Sequence, residues 1–321
     1  MRSFSRRRVS PIEHMKISII IPTLNEAKYL PRLLGSLQRQ TFQNFEIIVA
    51  DAGSKDQTAA IARAHGAKVV KGGLPAAGRN RGAAHARGDF IFFIDADVKL
   101  PASFLEKAYG EMQERFLDLA TCEMKPLSNL LLDRVIHNTV NIILKLGQHT
   151  DYPHSPGFCI LISRRLFERI GGFDETLRLA EDHDLVIRAS RYRPLRVLES
   201  TFFWVGVRRF IKEGRLNYAG KVIYAEIYRW FRGRIIDEKA IRYEFGDFSR
   251  MNNKSRLRRI ERRINKMEMR YRALRKKAKE ERLVAFTKRQ LKKIGWLFIG
   301  GIRFARLALS KRVEPDEDRK K

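Results

Sequence analysis

Asp89-Phe-Ile-Phe-Phe-Ile-Asp-Ala-Asp97 is the stretch of sequence that decides the fold. Its residues 90–94 are all apolar, a pattern typical of a strand buried on both faces of a sheet. Asp95 and Asp97 follow directly, at the carboxyl end of that strand, where open parallel sheets bind their ligands. The stretch therefore predicts a central strand that delivers two carboxylates to one edge of a sheet.

Short apolar runs alternate with helical patterns on both sides of this stretch. Strands are predicted over 16–22, 46–51, 67–71 and 157–163, and helices over 30–37, 56–65, 76–87, 101–116, 130–146 and 181–191. Strands that alternate with helices indicate a parallel sheet with helices on both faces. The predicted fold class is therefore α/β, with a Rossmann-like, mostly parallel central sheet flanked by helices and a basic α-helical C-terminal extension.

The charge of the chain is strongly positive and unevenly distributed. The 321 residues contain 65 Lys and Arg against 36 Asp and Glu, a net charge of +29. Residues 251–321 alone carry 25 Lys and Arg against 8 Asp and Glu. Such a charge indicates an anionic partner, namely nucleic acid, anionic lipid or a phosphorylated ligand. It does not indicate any particular fold.

The remaining composition argues against several classes of protein. Cys122 and Cys159 have no CxxC partner, so we expect two buried thiols in a reducing compartment and neither a zinc site nor a disulfide framework. The first residues are rich in Arg and lack the apolar core of a secretory signal. The apolar run over 294–302 is too short to span a bilayer. We expect a cytoplasmic protein, peripheral on the inner face of the cell membrane.

A change in composition near residue 247 sets the predicted domain organisation. We expect a basic N-terminal tail over 1–14, a catalytic domain over 15–246, a basic helical extension over 247–313 and a disordered tail over 314–321. Within the extension, apolar residues follow a 3-4 spacing typical of a coiled-coil seam: Leu257, Ile260, Ile264, Met267, Tyr271, Leu274 and Ala278. That seam could mediate self-association, fold back on the catalytic domain, lie on a membrane or belong to a solvated helix.

Polar residues follow three of the predicted strands at the point where each strand ends. Glu26 follows the first strand, Asp51 ends the second, and Asp95 and Asp97 follow the fourth. Clustered carboxylates repel each other unless they share a cation or a hydrogen-bond donor. Two carboxylates two residues apart on a turn suit a divalent cation, which prefers hard oxygen ligands. The sequence therefore predicts a cation and phosphate site at this edge.

Six motifs in a fixed order carry a family resemblance. The chain resembles the non-processive, inverting family 2 glycosyltransferases of bacterial type, which have the GT-A fold, over about residues 15–215. The motifs are Ser18-Ile-Ile-Ile-Pro-Thr-Leu-Asn-Glu26, Ile47-Ile-Val-Ala-Asp-Ala-Gly-Ser-Lys-Asp56, Gly78-Arg-Asn-Arg-Gly82, the Gly88–Asp97 block with its Asp-x-Asp motif, Gly171-Gly-Phe-Asp-Glu175 and Glu181-Asp-His-Asp-Leu-Val-Ile-Arg188.

The resemblance implies a role for individual positions. Pro22, Thr23 and Glu26 would line the nucleotide pocket, Asp51 would bind the base, commonly uracil, and Arg79 would lie near the base or the diphosphate. Asp95 would approach the ribose and the metal, and Asp97 would ligate Mg²⁺ or Mn²⁺. Asp182 would be the catalytic base, with Glu181, Gly157 and His154 on the acceptor side and Gly171 and Gly172 shaping a turn.

Several of these residues could instead have ordinary structural roles. Asp51 could only cap the turn after its strand, and Arg79 could be a solvated helix residue. Asp182 could pair with Arg188 or with another cation, and His154 could be an ordinary loop histidine. His183 fits a supporting or surface position better than a ligand, and Glu175 fits a structural role.

The chain also departs from the family pattern. Ala52 stands where a second acid often follows the second strand, and no histidine after His183 completes a metal shell, so water or the diphosphate would do so. The Gln-x-x-Arg-Trp signature of processive synthases is absent, which favours transfer of a single sugar.

The predicted function is inverting, metal-assisted transfer of a sugar, hexosyltransferase-like, from a nucleotide-diphosphate sugar to a hydroxyl acceptor. The donor would be UDP-linked, and the acceptor would be lipid-linked or otherwise part of cell-envelope glycan or glycolipid synthesis. Basic and aromatic residues over 292–311 suit an interfacial helix on an anionic membrane surface, or a helix that caps the catalytic domain with its apolar face. The alternatives are a nucleic-acid-binding or membrane-binding protein, disfavoured for nucleic acid by the lack of a recognised module, and a sugar nucleotidyltransferase, disfavoured by the lack of a Gly-rich phosphate loop after the first strand.

Overall fold

The structure, a computed structural model, describes residues 15–151, 153–177, 180–218, 220, 263, 265–270 and 273. The predicted tails over 1–14 and 314–321, the boundary near 246 and the aromatic and basic stretch over 292–311 lie outside the described residues. Only a few positions of the predicted extension over 247–313 lie inside them.

The described chain alternates strands and helices through its first half and mixes them in its second. The strands are β1 (Ile17–Thr23), β2 (Phe45–Asp51), β3 (Lys68–Lys71), β4 (Phe90–Ile94), β5 (Val98–Lys99), β6 (Leu119–Pro126), β7 (Cys159–Ser163) and β8 (Arg196–Val205). The helices are α1 (Leu30–Gln38), α2 (Thr58–Ala64), α3 (Pro75–Ala83), α4 (Phe104–Glu114), α5 (Leu131–Gly147), α6 (Arg164–Arg169), α7 (Glu181–Ser190) and α8 (Arg208–Glu213).

These strands form one sheet in the order β3-β2-β1-β4-β7-β6-β8-β5. The half from β3 to β4 is parallel throughout, as the sequence predicts. Beyond β4 the sheet becomes mixed, because β7 runs antiparallel to both β4 and β6, while β6 and β8 are parallel to each other. The carboxyl ends of β2, β1 and β4 therefore lie side by side at one edge.

The core consists of two apolar layers, one on each face of the sheet. Alternate residues of β4 divide between them, with Phe90, Phe92 and Ile94 on one face and Ile91 and Phe93 on the other. Helices α1 and α4 cover the first face, and α3, α6 and α7 cover the second. All five side chains of β4 are buried, and burying each side chain of this size contributes about 1.5–3 kcal/mol. The apolar stretch 90–94 thus forms the centre of a three-layer fold.

The sequence analysis missed three strands of the mixed half, namely β5, β6 and β8. Polar or charged residues such as Glu123 and Lys125 interrupt the apolar pattern of β6, and β8 contains Glu199 and Ser200 at a bulge between its two paired halves. These strands are specified by their neighbours in the sheet more than by their own periodicity. Helix α3 also ends at Ala83, before the predicted residue 87, because the backbone N–H groups of Arg87 and Gly88 donate to the Ser18 hydroxyl.

Both cysteines are free and buried, as predicted. Among the described residues, no helix is both long and apolar enough to cross a membrane. In the part of the extension that the structure describes, the buried side chain is Glu268, which is 2% exposed, whereas the predicted seam residue Met267 is 39% exposed. Glu268 Oε1 accepts a hydrogen bond of 2.7 Å from the backbone N–H of Leu131 at the start of α5. This stretch of the extension therefore contacts the domain.

Candidate active site

The predicted rim of polar side chains forms where β1, β2 and β4 end next to one another. The register of the parallel strands places Thr23 of β1 opposite Asp51 of β2. The Thr23 hydroxyl donates to Asp51 Oδ1 over 3.1 Å, and the half-buried Pro22 precedes it on the same strand. The structure thus brings the predicted nucleotide-pocket residues of the first two strands together.

Asp51 also organises the turn that follows β2. Its Oδ2 accepts hydrogen bonds from the backbone N–H groups of Gly53 and Ser54, at 3.2 and 3.0 Å, and the Ser54 hydroxyl donates to Oδ1. Ser54 in turn accepts from the backbone N–H of Asn25, which joins this turn to the one after β1. Asp51 therefore has the turn-capping role that the sequence left open, and its carboxylate still borders the rim.

Glu26 and Asp97 meet across the rim, and one arginine binds both of them. The Arg208 Nη1 donates to both oxygens of Glu26, at 2.8 and 2.9 Å, and its Nε lies 3.0 Å from Asp97 Oδ2. The guanidinium of Arg208 also stacks over the Tyr29 ring, 5.0 Å from its centroid. Arg208 is the first residue of α8, which follows β8 in the chain. It supplies a positive charge to the acids that follow β1 and β4.

A glycine makes this contact sterically feasible. A Cβ atom at Gly206 would lie 2.8 Å from Asp97 Oδ2, closer than a carbon and an oxygen can approach without displacement. The backbone N–H of Gly206 donates to the backbone carbonyl of Asp97, at 3.1 Å. Gly206 therefore lets the chain after β8 lie against the Asp97 carboxylate.

Burial and neighbouring charges change the pKa values of the acids of the rim. Burial, together with the nearby Asp95 carboxylate, raises the pKa of Asp97 above its usual value despite the opposing charge of Arg208. Burial likewise raises the pKa of Glu26, again against the effect of Arg208. Burial by itself would lower the pKa of Arg208, but the two carboxylates raise it above its ordinary value. These carboxylates are buried close together and depend on a cation to stay ionised.

Arg79 joins the rim to the predicted catalytic block on α7. It is 4% exposed, so it is not the solvated helix residue that the sequence left open. Its Nη1 donates to Glu181 Oε1 at 2.8 Å, and its Nη2 donates to Asp95 Oδ1 at 3.2 Å and to the Gly157 carbonyl at 3.1 Å. Arg79 thus lies between Asp95 of the rim and Glu181 of the catalytic block.

The predicted base, Asp182, is held by the same segment. Its Oδ2 accepts from the backbone N–H of Gly157 at 2.7 Å, while its Oδ1 accepts from the backbone N–H of His183 at 2.9 Å. A Cβ atom at Gly157 would lie 2.9 Å from Asp182 Oδ2 and 3.0 Å from Arg79 Nη2. Only glycine therefore allows Arg79 and Asp182 to approach both sides of this peptide.

The turns that precede Glu26 and Glu181 share a strained backbone. Asn25, just before Glu26, has φ 55°, and Ala180, just before Glu181, has φ 61°. Left-handed conformations are uncommon for residues with a side chain and cluster at functional sites. Burial and the adjacent Asp182 raise the pKa of Glu181, while Arg79 opposes this shift.

Two histidines form one wall of the catalytic block. The rings of His154 and His183 stack with centroids 4.8 Å apart, and His183 Nε2 lies 3.6 Å from Asp182 Oδ1. His154 is 8% exposed and is therefore a buried component of the site. The structure thus places His154 and Gly157 next to the base, on the side where the resemblance implies the acceptor.

Short-range contacts bear on the other roles that the sequence left open. Arg188 pairs with Asp184 at 2.6 Å, so the structure gives Arg188 an acid partner other than Asp182. Glu175 accepts from the Asn80 side chain at 2.9 Å and has the structural role expected of it. Gly171 and Gly172 have φ 73° and 71°, which confirms the tight turn between α6 and the catalytic block.

The oxygen donors of Asp95 and Asp97 fit a magnesium or manganese ion. Carboxylates are the ligands that these hard cations prefer, and burial, the largest cause, raises the pKa of Asp97. Within the described residues, no group of three or more His, Cys, Asp or Glu side chains is arranged to hold a metal. The protein would therefore supply two carboxylates, and Arg208 would have to leave Asp97 for a cation to bind there.

Sequence reasoning missed Arg208 and Gly206. The signal was the run Gly206-Val-Arg-Arg209, which follows an apolar stretch. Because β8 itself was not predicted, nothing in the sequence indicated that this run lies beside the ends of β1 and β4.

Comparison with known proteins shows which family this domain is similar to. Residues 18–171 match the family model described as Glycosyl transferase family 2. The glycosyltransferase EpsJ of Bacillus subtilis, whose own function is uncharacterised, is 28% identical over 54% of this chain and 56% of its own. The poly(ribitol-phosphate) β-N-acetylglucosaminyltransferase TarS of Staphylococcus aureus is 30% identical over 54% of this chain and 32% of its own. The chain thus spans about half or less of the length of these relatives.

Solved structures share the fold. The S. aureus TarS fragment 1–349 in complex with UDP superposes with a TM-score of 0.52 at 23% identity, covering 72% of this chain and 76% of its own. The mannosyltransferase PcManGT from Pyrobaculum calidifontis, in complex with GDP-Man and Mn²⁺, has a TM-score of 0.53 at 20% identity, covering 72% of this chain and 66% of its own. The α/β architecture is therefore that of the GT-A glycosyltransferases.

Proposed function

Residues 18–171 belong to glycosyl transferase family 2, and on this premise we propose that the protein transfers a single sugar from a nucleotide-diphosphate sugar to a hydroxyl acceptor with inversion. The observation that carries the proposal is the position of Arg79. Its guanidinium binds Asp95 at the predicted donor rim and Glu181 beside the predicted base. This contact supports a single site for the donor and the base.

The donor would bind along the rim. Thr23 and Asp51 would border the base and Glu26 would line the nucleotide pocket, as the resemblance implies. The diphosphate would lie near Asp95 and Asp97, where Arg79 and Arg208 already supply positive charge. Asp95 and Asp97 would hold Mg²⁺ or Mn²⁺, which when bound would stabilise the negative charge that develops on the departing diphosphate.

Asp182 would act as the general base. An acceptor hydroxyl is a poor nucleophile until a carboxylate takes its proton. The backbone N–H groups of Gly157 and His183 hold both oxygens of Asp182 in place. Attack from the side opposite the diphosphate inverts the anomeric centre.

We propose a UDP-linked donor. Support comes from Asp51, which the resemblance assigns to uracil. The structures that share the fold include one in complex with UDP and one in complex with GDP-Man, so the fold is compatible with both nucleotides. A donor screen decides between them.

The acceptor we propose belongs to cell-envelope glycan or glycolipid synthesis and is presented at a membrane. The name of TarS describes transfer of N-acetylglucosamine to a polymer of ribitol phosphate, which supports a hydroxyl acceptor. The strongly basic sequence of 251–321 supports attachment to anionic lipid on the inner face of the membrane.

The test is a screen of nucleotide sugars that measures nucleotide-diphosphate release with and without Mn²⁺. We expect turnover with a UDP-sugar that EDTA abolishes. Asp97→Asn should nearly abolish turnover and weaken UDP binding. Glu168→Gln, which neutralises an exposed carboxylate on α6, is the matched control and should behave like the unaltered protein. Full activity in EDTA and in Asp97→Asn would refute the assignment of the metal-binding residues.

A further inference from the structure

A surface cavity of about 440 Å³ lies outside the proposed donor and acceptor sites. Its walls come from helix α1, from β5 and from the end of β6. The lining residues are Pro31, Arg32, Gly35, Arg39, Lys99 and Leu127. Three of these six are cationic and none is acidic. We refer to this cavity as the basic cleft.

The geometry of α1 opens the cleft. Arg32, Gly35 and Arg39 follow each other at positions i, i+3 and i+7, so they share one face of the helix. Gly35 has no side chain to fill the space between the two arginines. A Cβ atom there would meet only guanidinium atoms of Arg39, at 3.5 and 4.0 Å. The guanidinium of Arg39 therefore lies close to Gly35 on this face of the helix.

The cations of the cleft are not neutralised by the protein. Within the residues that the structure describes, neither Arg32 nor Arg39 forms a hydrogen bond or an ion pair with a side chain, and Lys99 contacts only an aromatic ring. A second surface cavity gives the contrast, because its Arg115 forms an ion pair with Glu111, and Glu114 and Glu199 also line it.

Aromatic rings hold the lysines at this edge. Lys99 Nζ lies 5.2 Å from the centroid of the Trp204 ring, and Lys125 Nζ lies over Phe202 on the neighbouring part of the sheet, 3.4 Å from its centroid. Trp204 pairs with Lys99 on β5 and with Lys125 on β6. Cation–π contacts restrain an ammonium group without cancelling its charge. The lysines therefore remain available to an anion.

The geometry points to the basic cleft as a binding site for a phosphate-bearing ligand, separate from the donor rim. Clustered like charges without acids raise the local concentration of anions. The planar fork of an arginine matches phosphate oxygens in a bidentate manner, and a lysine adds a point charge. The cleft has two arginines on one wall and Lys99 on the other, so a ligand in it faces positive charge on both sides.

Phosphate can reach the cleft from two sources, a soluble phosphate-bearing molecule or a phospholipid headgroup. The experiment therefore uses two probes with the full-length protein: inorganic phosphate, titrated by calorimetry in EDTA, and phosphatidylcholine vesicles that contain phosphatidylglycerol. It measures binding without turnover, so its outcome does not depend on the proposed transfer reaction.

Two variants test the cleft in different ways. Arg39→Gln with Lys99→Gln removes one cation from each wall. Gly35→Leu keeps every charge but fills the space between the arginines, and a helix tolerates this change because leucine is a better helix former than glycine. The control, Arg63→Gln with Lys68→Gln, removes two exposed cations near the opposite edge of the sheet. Thermal unfolding verifies that all three variants fold.

We expect the affinity for inorganic phosphate to fall by roughly tenfold in both cleft variants and by less than about twofold in the control. A loss of vesicle affinity greater than that of the control would assign the site to a lipid headgroup. A loss equal to that of the control would assign it to a soluble ligand, because residues 251–321 are expected to bind vesicles in every variant. Equal losses in the cleft and control doubles, or unchanged affinity in Gly35→Leu, would overturn the proposal, since either result would indicate general charge attraction.

Discussion

Arg208 Nε lies 3.0 Å from Asp97 Oδ2, the carboxylate that the family resemblance assigns to the metal. The same guanidinium binds both oxygens of Glu26. The chain therefore provides its own cation at the acidic edge of the sheet. A divalent ion bound by Asp97 has to compete with this arginine, and the competition can be measured.

Arg208→Gln is expected to tighten Mn²⁺ binding in the absence of donor. Removing the guanidinium frees Asp97 and Glu26 and removes a positive charge next to the ion. We expect an increase in affinity of roughly three- to tenfold, which corresponds to about 0.7–1.4 kcal/mol. Calorimetric titration with Mn²⁺ measures the change. Lys212→Gln removes the same charge from the same helix and should have little effect. Weaker Mn²⁺ binding by Arg208→Gln would show that the arginine supports the ion and does not compete with it.

Asp97→Asn is expected to stabilise the metal-free protein near pH 7 and to have less effect near pH 3. Burial raises the pKa of Asp97 above its ordinary value of 3.8. The folded protein therefore holds that proton more tightly than the unfolded chain does, and stability falls as the pH rises through the raised pKa. The amide removes this cost. Melting temperatures of both proteins across this pH range, in EDTA, give the result. A melting temperature that drops at neutral pH would contradict the prediction and would indicate that the ion pair with Arg208 outweighs burial.

Asp182→Asn is expected to lower kcat by roughly 10²–10⁴, the usual contribution of a general base. The amide keeps the size of the side chain but can accept only one of the two backbone hydrogen bonds. Because the residues of the donor rim are unchanged, donor affinity should stay nearly unchanged. Steady-state kinetics and nucleotide binding separate the two effects, with Glu168→Gln as the control. Joint loss of donor binding and turnover would place Asp182 in the donor site, and normal turnover would place the base elsewhere.

Gly157→Ala is expected to lower kcat by roughly ten- to a hundredfold, because small displacements of a catalytic group are costly. The added methyl would lie 2.9 Å from Asp182 Oδ2 and 3.0 Å from Arg79 Nη2, so the base and the arginine have to move apart. The control is Gly110→Ala in α4, where an added Cβ would meet nothing within 4 Å. That change should stabilise the helix by about 0.5–1 kcal/mol and leave kcat unchanged. Full activity of Gly157→Ala would show that this contact does not position the base.

A chain that ends at residue 246 is expected to lose binding to anionic vesicles while keeping donor hydrolysis. Each Lys or Arg near an anionic surface contributes about 1 kcal/mol, and 25 of them lie in 251–321. Co-sedimentation with phosphatidylglycerol vesicles at low and high salt measures binding, since salt screens exposed charges over about 8–10 Å. The truncation also removes Glu268 from the start of α5, so some loss of thermal stability is expected. Equal vesicle binding by both chains would move the contact to the domain or to the Arg-rich N-terminus.

The sequence by itself determined the parallel half of the sheet and the edge where its strands end. The runs 16–22, 46–51 and 90–94 are short and mostly apolar, a pattern typical of the buried strands of a parallel sheet. Parallel strands present their carboxyl ends at one edge, so the convergence of Glu26, Asp51, Asp95 and Asp97 follows from local patterns alone. The order of the motifs also indicated the family, which the match over residues 18–171 supports.

Only the tertiary structure decided how these acids are neutralised. The partners of Arg79 lie 16, 78 and 102 residues away in sequence, and Arg208 lies 182 residues from Glu26. Contacts over such separations depend on how β7 and β8 join the mixed half of the sheet, and polar residues obscure β8 in the sequence. A one-dimensional pattern records which face of an element is apolar, whereas the pairing of buried charges depends on which elements the completed core brings together.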